Sequence, residues 1–169
     1  MGKRISKHEY YLNIARAVSA RSTCLSKHYG AVIVNNDEII ATGYNGAPRG
    51  IDSCLDLGYC LRRKVVPDVG HNARYDVCKA IHAEANAIIS ASRKDMINST
   101  LYVYGEDMKT GKVVLGMPCD MCKLLIINAG IGEVIMSSDN ERDPYVTLYP
   151  SAIRIKLEEF YNSLISKSE

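Results

Sequence analysis

Apolar residues recur at Tyr11, Ile14, Ala15 and Val18, the i, i+3, i+4, i+7 spacing that predicts a helix from His8 to about Ser22 with one buried face. The period then changes. Gly30-Ala31-Val32-Ile33-Val34 and Glu38-Ile39-Ile40-Ala41-Thr42 read as strands, and Asn35-Asn36-Asp37 between them has turn chemistry, so a β-hairpin is expected. From Gly43 to Gly50 the chain is too rich in Gly and Pro to continue a strand, and periodicity stays poor to about Val77. A loop of that length inside a domain is functional or is held by something other than an apolar core.

A second helix is expected over Lys79 to Arg93, with Ile81, Ala85, Ile88 and Ile89 on one side. Leu101 to Tyr104 reads as a strand. Pro118-Cys119-Asp120 has the proline and acid of a helix start, and Asn128-Ala129-Gly130 fits its stop. Glu133 to Met136 is the next strand, so helix and strand alternate here and imply parallel pairing with a crossover helix. Tyr145 to Tyr149 reads as a last strand, and Ser151 to about Ile165 as a terminal helix with Ile153, Leu157, Phe160 or Tyr161, and Leu164 inward. No internal repeat or linker is visible. The expected architecture is α/β: a mixed central sheet flanked by helices in one domain over residues 1–169.

Composition narrows the classes. The chain has 169 residues, 47% hydrophobic and 24% charged, which is ordinary for a globular domain and excludes disorder. Lys and Arg number 21 against 19 acidic residues, a net charge of +2, so there is no broad basic field for gripping a nucleic-acid polymer and any phosphate recognition should be local. No apolar run approaches the ~18–20 residues needed to span a bilayer, so no membrane partner is expected. No apolar h-region follows the basic start, so a cytoplasmic, reducing location is expected. Six cysteines in that setting read first as metal ligands or a catalytic thiol rather than as disulfides.

The strongest chemical signal joins His82-Ala83-Glu84 to Pro118-Cys119-Asp120-Met121-Cys122. His82, Cys119 and Cys122 are a ligand set that Zn²⁺ accepts, and three protein ligands leave a fourth position open, as catalytic zinc requires. At a helix N-terminus the two cysteines are eased toward thiolates by unpaired N–H groups and the helix dipole, and their spacing sets them on one face of the first turn. Glu84, two residues after His82, does not share its face; it is a poor fourth ligand but well placed to move protons beside the open position. Together the motifs match H-x-E…P-C-x-x-C, the signature of zinc-dependent nucleobase deaminases.

More of the chain resembles one branch, the deoxycytidylate (dCMP) deaminases. Arg21-Ser22-Thr23-Cys24, Gly30 to Val34, Gly43-Tyr44-Asn45-Gly46-Ala47-Pro48-Arg49-Gly50, Cys78 and Ile81 to Ile89 match, with the Pro118 motif, across about residues 8 to 137. The resemblance implies the three-layer α/β/α cytidine-deaminase-like fold and hydrolysis of dCMP to dUMP and ammonia, in service of dTTP supply. Carried over by motif position, it implies substrate contacts at Ser22, Asn45 and Ala83, with Arg142 for the phosphate and Arg21, Lys27 and Arg49 as rivals; separately, among eleven tyrosines, Tyr44 or Tyr145 is a candidate for stacking on a base. It further implies a homo-oligomer, a hexamer by preference, activated by dCTP and inhibited by dTTP, with Gly43, Tyr44, Gly46 and Arg93 at the effector site. The short link from Pro144 to the last helix departs from members that place a helix and then a strand there.

Cys24, Cys54, Cys60 and Cys78 remain. As a Cys₄ zinc clamp they would tie the loop of about 43–77 to the body and supply the order its missing core cannot. The resemblance includes members with a second, structural zinc, with Cys24 and Cys54 at matching positions and variable remaining ligands, so His71 is an alternative to Cys60. His8 and His28 are read as surface residues. The alternatives to a dCMP deaminase are a deaminase of the same fold acting on dCTP or another cytosine nucleotide, and a non-catalytic zinc-stabilised binding module.

Overall fold

A computed structural model of the chain describes residues 4–65 and 77–166; His71 lies outside them. Helix α1 (Lys7–Ser19) begins at a capping box in which Ser6 accepts from the Glu9 amide and the Glu9 carboxylate accepts from the Ser6 amide. Strands β1 (Lys27–Asn35) and β2 (Glu38–Tyr44) form the expected hairpin. Asn36 and Asp37 sit at φ 49° and 68°, the left-handed pair that a tight hairpin turn demands. The long loop is less irregular than its sequence predicts, since it holds two short helices, α2 (Cys54–Leu57) and α3 (Leu61–Val65).

Then follow α4 (Ala83–Ile89), α5 (Arg93–Met96), β3 (Thr100–Asp107), β4 (Lys112–Val114), α6 (Asp120–Ala129), β5 (Glu133–Ser137), β6 (Tyr145–Leu148) and α7 (Pro150–Ile165). The helix expected over Lys79 to Arg93 is thus corrected to two pieces. Its start is late because the residues before it are extended: Ile81 exchanges backbone hydrogen bonds with Gly46 at 2.8 and 3.1 Å, and His82 is the helix N-cap.

The sheet runs β2-β1-β3-β5-β6, with β4 also on β3. Only β3 and β5 pair in parallel, joined through α6 as the alternation predicts; the other pairs are antiparallel. Side chains alternate across the sheet. On one face Val32, Val34, Tyr102, Tyr104 and Ile135 meet Tyr11, Leu12 and Ala15 of α1. On the other, Ala31, Ile33, Leu101, Val103, Val134 and Met136 meet Ala83 and Ala87 of α4 and Ile126 and Ala129 of α6. The result is the expected three-layer α/β/α fold.

Two expectations are corrected by packing. His8 is half-buried, with Nδ1 3.1 Å from the Tyr102 hydroxyl and its ring edge-on to Tyr145, and His28 is half-buried with Nε2 2.9 Å from the Cys24 carbonyl. On α7, Ile153 is buried, but Phe160 and Tyr161 are 54% and 50% exposed. The helix has 16 residues against the 10 of α6, on which it packs, and its distal turns expose these aromatic side chains. The side chain of Leu164 is outside what is described. No described helix is long and apolar enough to cross a membrane.

What brings α4 down onto β2 is the absence of a side chain at Gly43. A Cβ there would lie 2.3 Å from both the Ala83 carbonyl oxygen and the Ala87 nitrogen, which are backbone atoms of α4 and cannot swing away. Gly43→Ala is therefore expected to destabilise the fold by about 1–3 kcal/mol, the usual cost of overpacking. The midpoint of urea unfolding checks it, and an unchanged midpoint would show that α4 has room to retreat.

Candidate metal centre

The N-termini of α4 and α6 converge. His82 is the N-cap of the first and Cys119 that of the second; both have extended backbone and neither side chain caps its helix. N-cap positions usually carry Ser, Thr, Asp or Asn, whose oxygens satisfy the helix's own N–H groups. Here the side chains at those positions turn to each other: His82 Nδ1 is 3.3 Å from Cys119 Sγ and 3.5 Å from Cys122 Sγ. Their ligand atoms all lie within 4.8 Å, the only group of three metal-binding side chains so close among the described residues.

Local sequence explains the placement. Asp120 in the first turn of α6 suits the positive end of the helix and pairs with Lys123 at 2.9 Å. Ile126 and Ala129 anchor the helix in the core, and Gly130, at φ 82°, ends it. Cys122 is buried and Cys119 exposed, so the site opens on the Cys119 side.

Electrostatics divides the protons unequally. The Cys119 thiol is held down to about 4, first by a hydrogen bond from Cys122 and then by one from His82. The Cys122 thiol is pushed up, first by its bond to Cys119 and then by burial. His82 is raised mainly by Cys119. Glu84, 5% exposed, has its carboxyl raised by desolvation. A nitrogen and two sulfurs at these spacings form a donor set that fits zinc, and a carboxylic group beside them whose pKa is raised by burial fits proton transfer.

The remaining sequence candidates distribute as follows. Ser22 and Asn45 are buried, and their polar atoms have backbone partners. Asn45 accepts from the Tyr29 amide at 2.8 Å and donates to the Lys27 carbonyl at 2.9 Å. Ser22 donates to the Asn45 carbonyl at 2.8 Å and accepts from the Cys24 amide. These bonds clamp the segment after β2 onto the start of β1. Ala83 is fully buried against Gly43. Tyr44 is 37% exposed and its carbonyl accepts from Asn86 at 2.8 Å. A Cβ at Gly46 would come within 2.7 Å of the Thr23 hydroxyl. Arg93 donates to the Asn128 carbonyl near the end of α6. Arg142 is exposed in a shallow cleft with Ser6, Glu9, Asp143, Pro144 and Tyr145, residues from the start of α1 and the turn before β6.

Cys24, Cys54, Cys60 and Cys78 are free and half-buried. Cys54 is raised by burial, with Cys60, Cys24 and Cys78 each near enough to add to the shift. Hydrogen bonds from Leu55 to the Thr23 carbonyl and from Arg63 to the Ser26 hydroxyl tie the same loop to the body. Spacing alone does not reveal the supporting parts played by Ile81 and Asn86, because both act through backbone partners distant in sequence.

Residues 5–138 match the model of the cytidine and deoxycytidylate deaminase zinc-binding region. The chain belongs to this family. Among its relatives, the deoxycytidylate deaminase of Mycobacterium phage D29 is 38% identical over 78% of this chain and 94% of that protein. The deoxycytidylate deaminase of Schizosaccharomyces pombe is 30% identical over 93% of this chain and only 45% of its own length. Among solved structures, the dCMP deaminase of cyanophage S-TIM5 in apo form superposes with a TM-score of 0.53 at 25% identity, covering 78% of this chain and 82% of that one. The matched zinc-binding region contains the three side chains that the fold draws together.

Metal affinity should therefore depend on pH with a fixed sign. Cys122 enters the site as a thiol and must lose its proton to ligate, and His82, itself raised, must be neutral. Zinc affinity is expected to weaken at least about tenfold for each unit that pH falls between 8 and 6. Competition with a chromophoric chelator measures it; a flat profile would mean that Cys122 is not the protonated partner.

Proposed function

We propose that the chain is a zinc-dependent hydrolase that converts dCMP and water to dUMP and ammonia. One observation carries the reading: a buried carboxyl group, Glu84, beside three side chains that fit zinc. A structural zinc site has no use for a carboxylate whose burial costs free energy, which argues against a non-catalytic binding module. The D29 relative, 94% of whose length this chain covers, is named for dCMP, and this favours dCMP over dCTP or another cytosine nucleotide.

In this reading His82, Cys119 and Cys122 hold the zinc, which when bound supplies the Lewis acidity that activates water. Glu84 takes a proton from the attacking water, passes it to N3 of the cytosine ring and then assists the amine to leave. Burial raises its pKa toward working pH, where one group can both accept and return a proton. Asn45 and Ser22, fixed by their backbone bonds, shape the wall that receives the sugar, and Ala83 contributes through its backbone. Arg142, exposed in the turn before β6, serves the phosphate, a role that the family resemblance supports.

The same resemblance supports four further parts of the proposal. Gly43, Tyr44, Gly46 and Arg93 form the dCTP and dTTP effector region, next to α4 and the end of α6. The enzyme is a homo-oligomer: Met121, Leu124 and Leu125 make an exposed apolar stripe on α6, at 67%, 40% and 36% exposure, of the kind that marks an interface. It works in the cytoplasm, where thiol ligands stay reduced. Cys24, Cys54, Cys60 and Cys78 hold a second, structural zinc: the other three lie near Cys54, but no three of the four sulfurs stand within 4.8 Å of one another, so the metal has to draw them together.

Ammonia release from dCMP, dCTP, deoxycytidine and CMP tests the activity. Glu84→Gln is expected to keep its catalytic zinc and lose about 10²–10⁴-fold in turnover; undiminished turnover would remove Glu84 from the chemistry. Because Glu84 works as a base only when ionised, wild-type turnover should fall as pH drops through its raised pKa, above the usual carboxylate range. Metal analysis should give two zinc ions per chain, and one in Cys54→Ser.

A further inference from the structure

Ser137 is the last residue of β5, 2% exposed, and lies outside every motif that carries the metal site. The edge of β3 is shared end to end by two strands: β5 pairs with Thr100 to Val103, and β4 pairs with Gly105 to Asp107. Ser137 stands at the junction. Its hydroxyl accepts from the Gly105 amide at 3.0 Å and donates to the Val114 carbonyl at 2.8 Å, and these two residues are register partners across β3 and β4. Its own carbonyl accepts from the Gly116 amide at 3.0 Å.

These bonds grip the chain where it leaves β4 for the metal site. Four residues, Leu115 to Pro118, separate Val114 from Cys119. Gly116 lies so close over β3 that a Cβ would come within 2.6 Å of the Val103 carbonyl oxygen, and Pro118 is fully buried. The path into the first turn of α6 is thus fixed at Val114 and Gly116 by one residue of β5, and at Pro118 by burial. Cys119 is exposed and directly follows the buried Pro118, so the path through Pro118 bears on its distance from His82.

We propose that Ser137 is a positioning residue for the metal centre, setting through the Val114–Pro118 segment where Cys119 meets His82. This rests on the reading of His82, Cys119 and Cys122 as zinc ligands. Removal of the hydroxyl leaves the Gly105 amide and Val114 carbonyl without their shared partner, and both are in the sheet, where replacement by water is hindered. Partners that orient metal ligands are commonly worth about 10–100-fold in affinity. Ser99 offers an internal comparison: its hydroxyl is as buried, at 1% exposure, but has no hydrogen-bond partner.

The test uses the full chain, with zinc affinity by chelator competition and the absorption of the cobalt-substituted protein as readouts. In the Cys54→Ser background, where only the catalytic zinc is expected, the chain should bind zinc and added His82→Ala should abolish it; zinc binding surviving there would overturn the ligand assignment and this proposal with it. Given that, Ser137→Ala is expected to weaken zinc about 10–100-fold and to shift the cobalt spectrum, Ser137→Thr to restore both, and Ser99→Ala to change neither. Wild-type affinity and spectrum in Ser137→Ala would overturn the positioning role while leaving the ligand assignment intact. An equal loss in Ser99→Ala would do the same, by tracing the effect to general loosening. Should Ser137→Ala not fold, Ser137→Cys keeps the volume and weakens the hydrogen bonds; unaltered zinc affinity there overturns the proposal, and a weakened affinity with a shifted cobalt spectrum supports it.

Discussion

Everything chemical in this molecule depends on two helix N-termini being brought together until an imidazole nitrogen and two sulfurs lie 3.3 and 3.5 Å apart. Neither helix achieves this alone. Helix α4 has only seven residues, too few to be stable without packing, and owes its position to small residues: Ala83 and Ala87 are wholly buried, and Gly43 lets the backbones touch. Helix α6 is anchored from its other end, by Ile126, Ala129 and the Gly130 cap. The sheet supplies a common reference, because both helices pack on the same face.

Convergence of this kind leaves both helices without side-chain caps, a local sacrifice usually costing about 1 kcal/mol each. The surrounding structure offsets it by satisfying polar groups elsewhere. Asn45 and Ser22 spend their hydrogen-bonding capacity on the backbone around residues 24 to 29 and 45. Tyr11, at the far end of the sheet, donates to the Asp37 carboxylate at 2.7 Å and ties α1 to the hairpin turn. At the buried Glu84 a hydrogen bond with Cys122 and the nearby His82 offset only part of the cost of desolvation, and its pKa rises accordingly. Uncapped helix ends and a poorly solvated carboxyl group are thus placed where the chemistry needs them.

That division decides what could be read from sequence. The hairpin was legible because Asn35-Asn36-Asp37 carries its turn chemistry within three residues, and α1 because its apolar spacing is regular. The metal ligands were legible because their type and spacing are constrained by chemistry rather than by packing. The start of α4 was not, since extending Lys79 to Ile81 requires Gly46, a partner 35 positions away. Strand β4 was missed because three residues, Lys112 to Val114, are too short to show a period. Phe160 and Tyr161 kept a helical spacing that implied burial, but spacing does not reveal that α7 outlasts the helix it packs on.

The residues that resisted reading share a property: each acts on the site through backbone atoms of another element. Gly43 acts by not having a side chain, Ile81 by an amide and a carbonyl, Asn86 by the Tyr44 carbonyl. Backbone contacts leave no compositional trace, because every residue offers the same donor and acceptor. Chemistry-bearing side chains can therefore be found from the chain alone, while the parts that aim them are found only once strands are placed in register. For a centre whose ligands stand on two helix ends, the aiming parts determine whether the right residues make a site at all: His82 and Cys119 are 37 residues apart, and nothing in either motif fixes the distance between them.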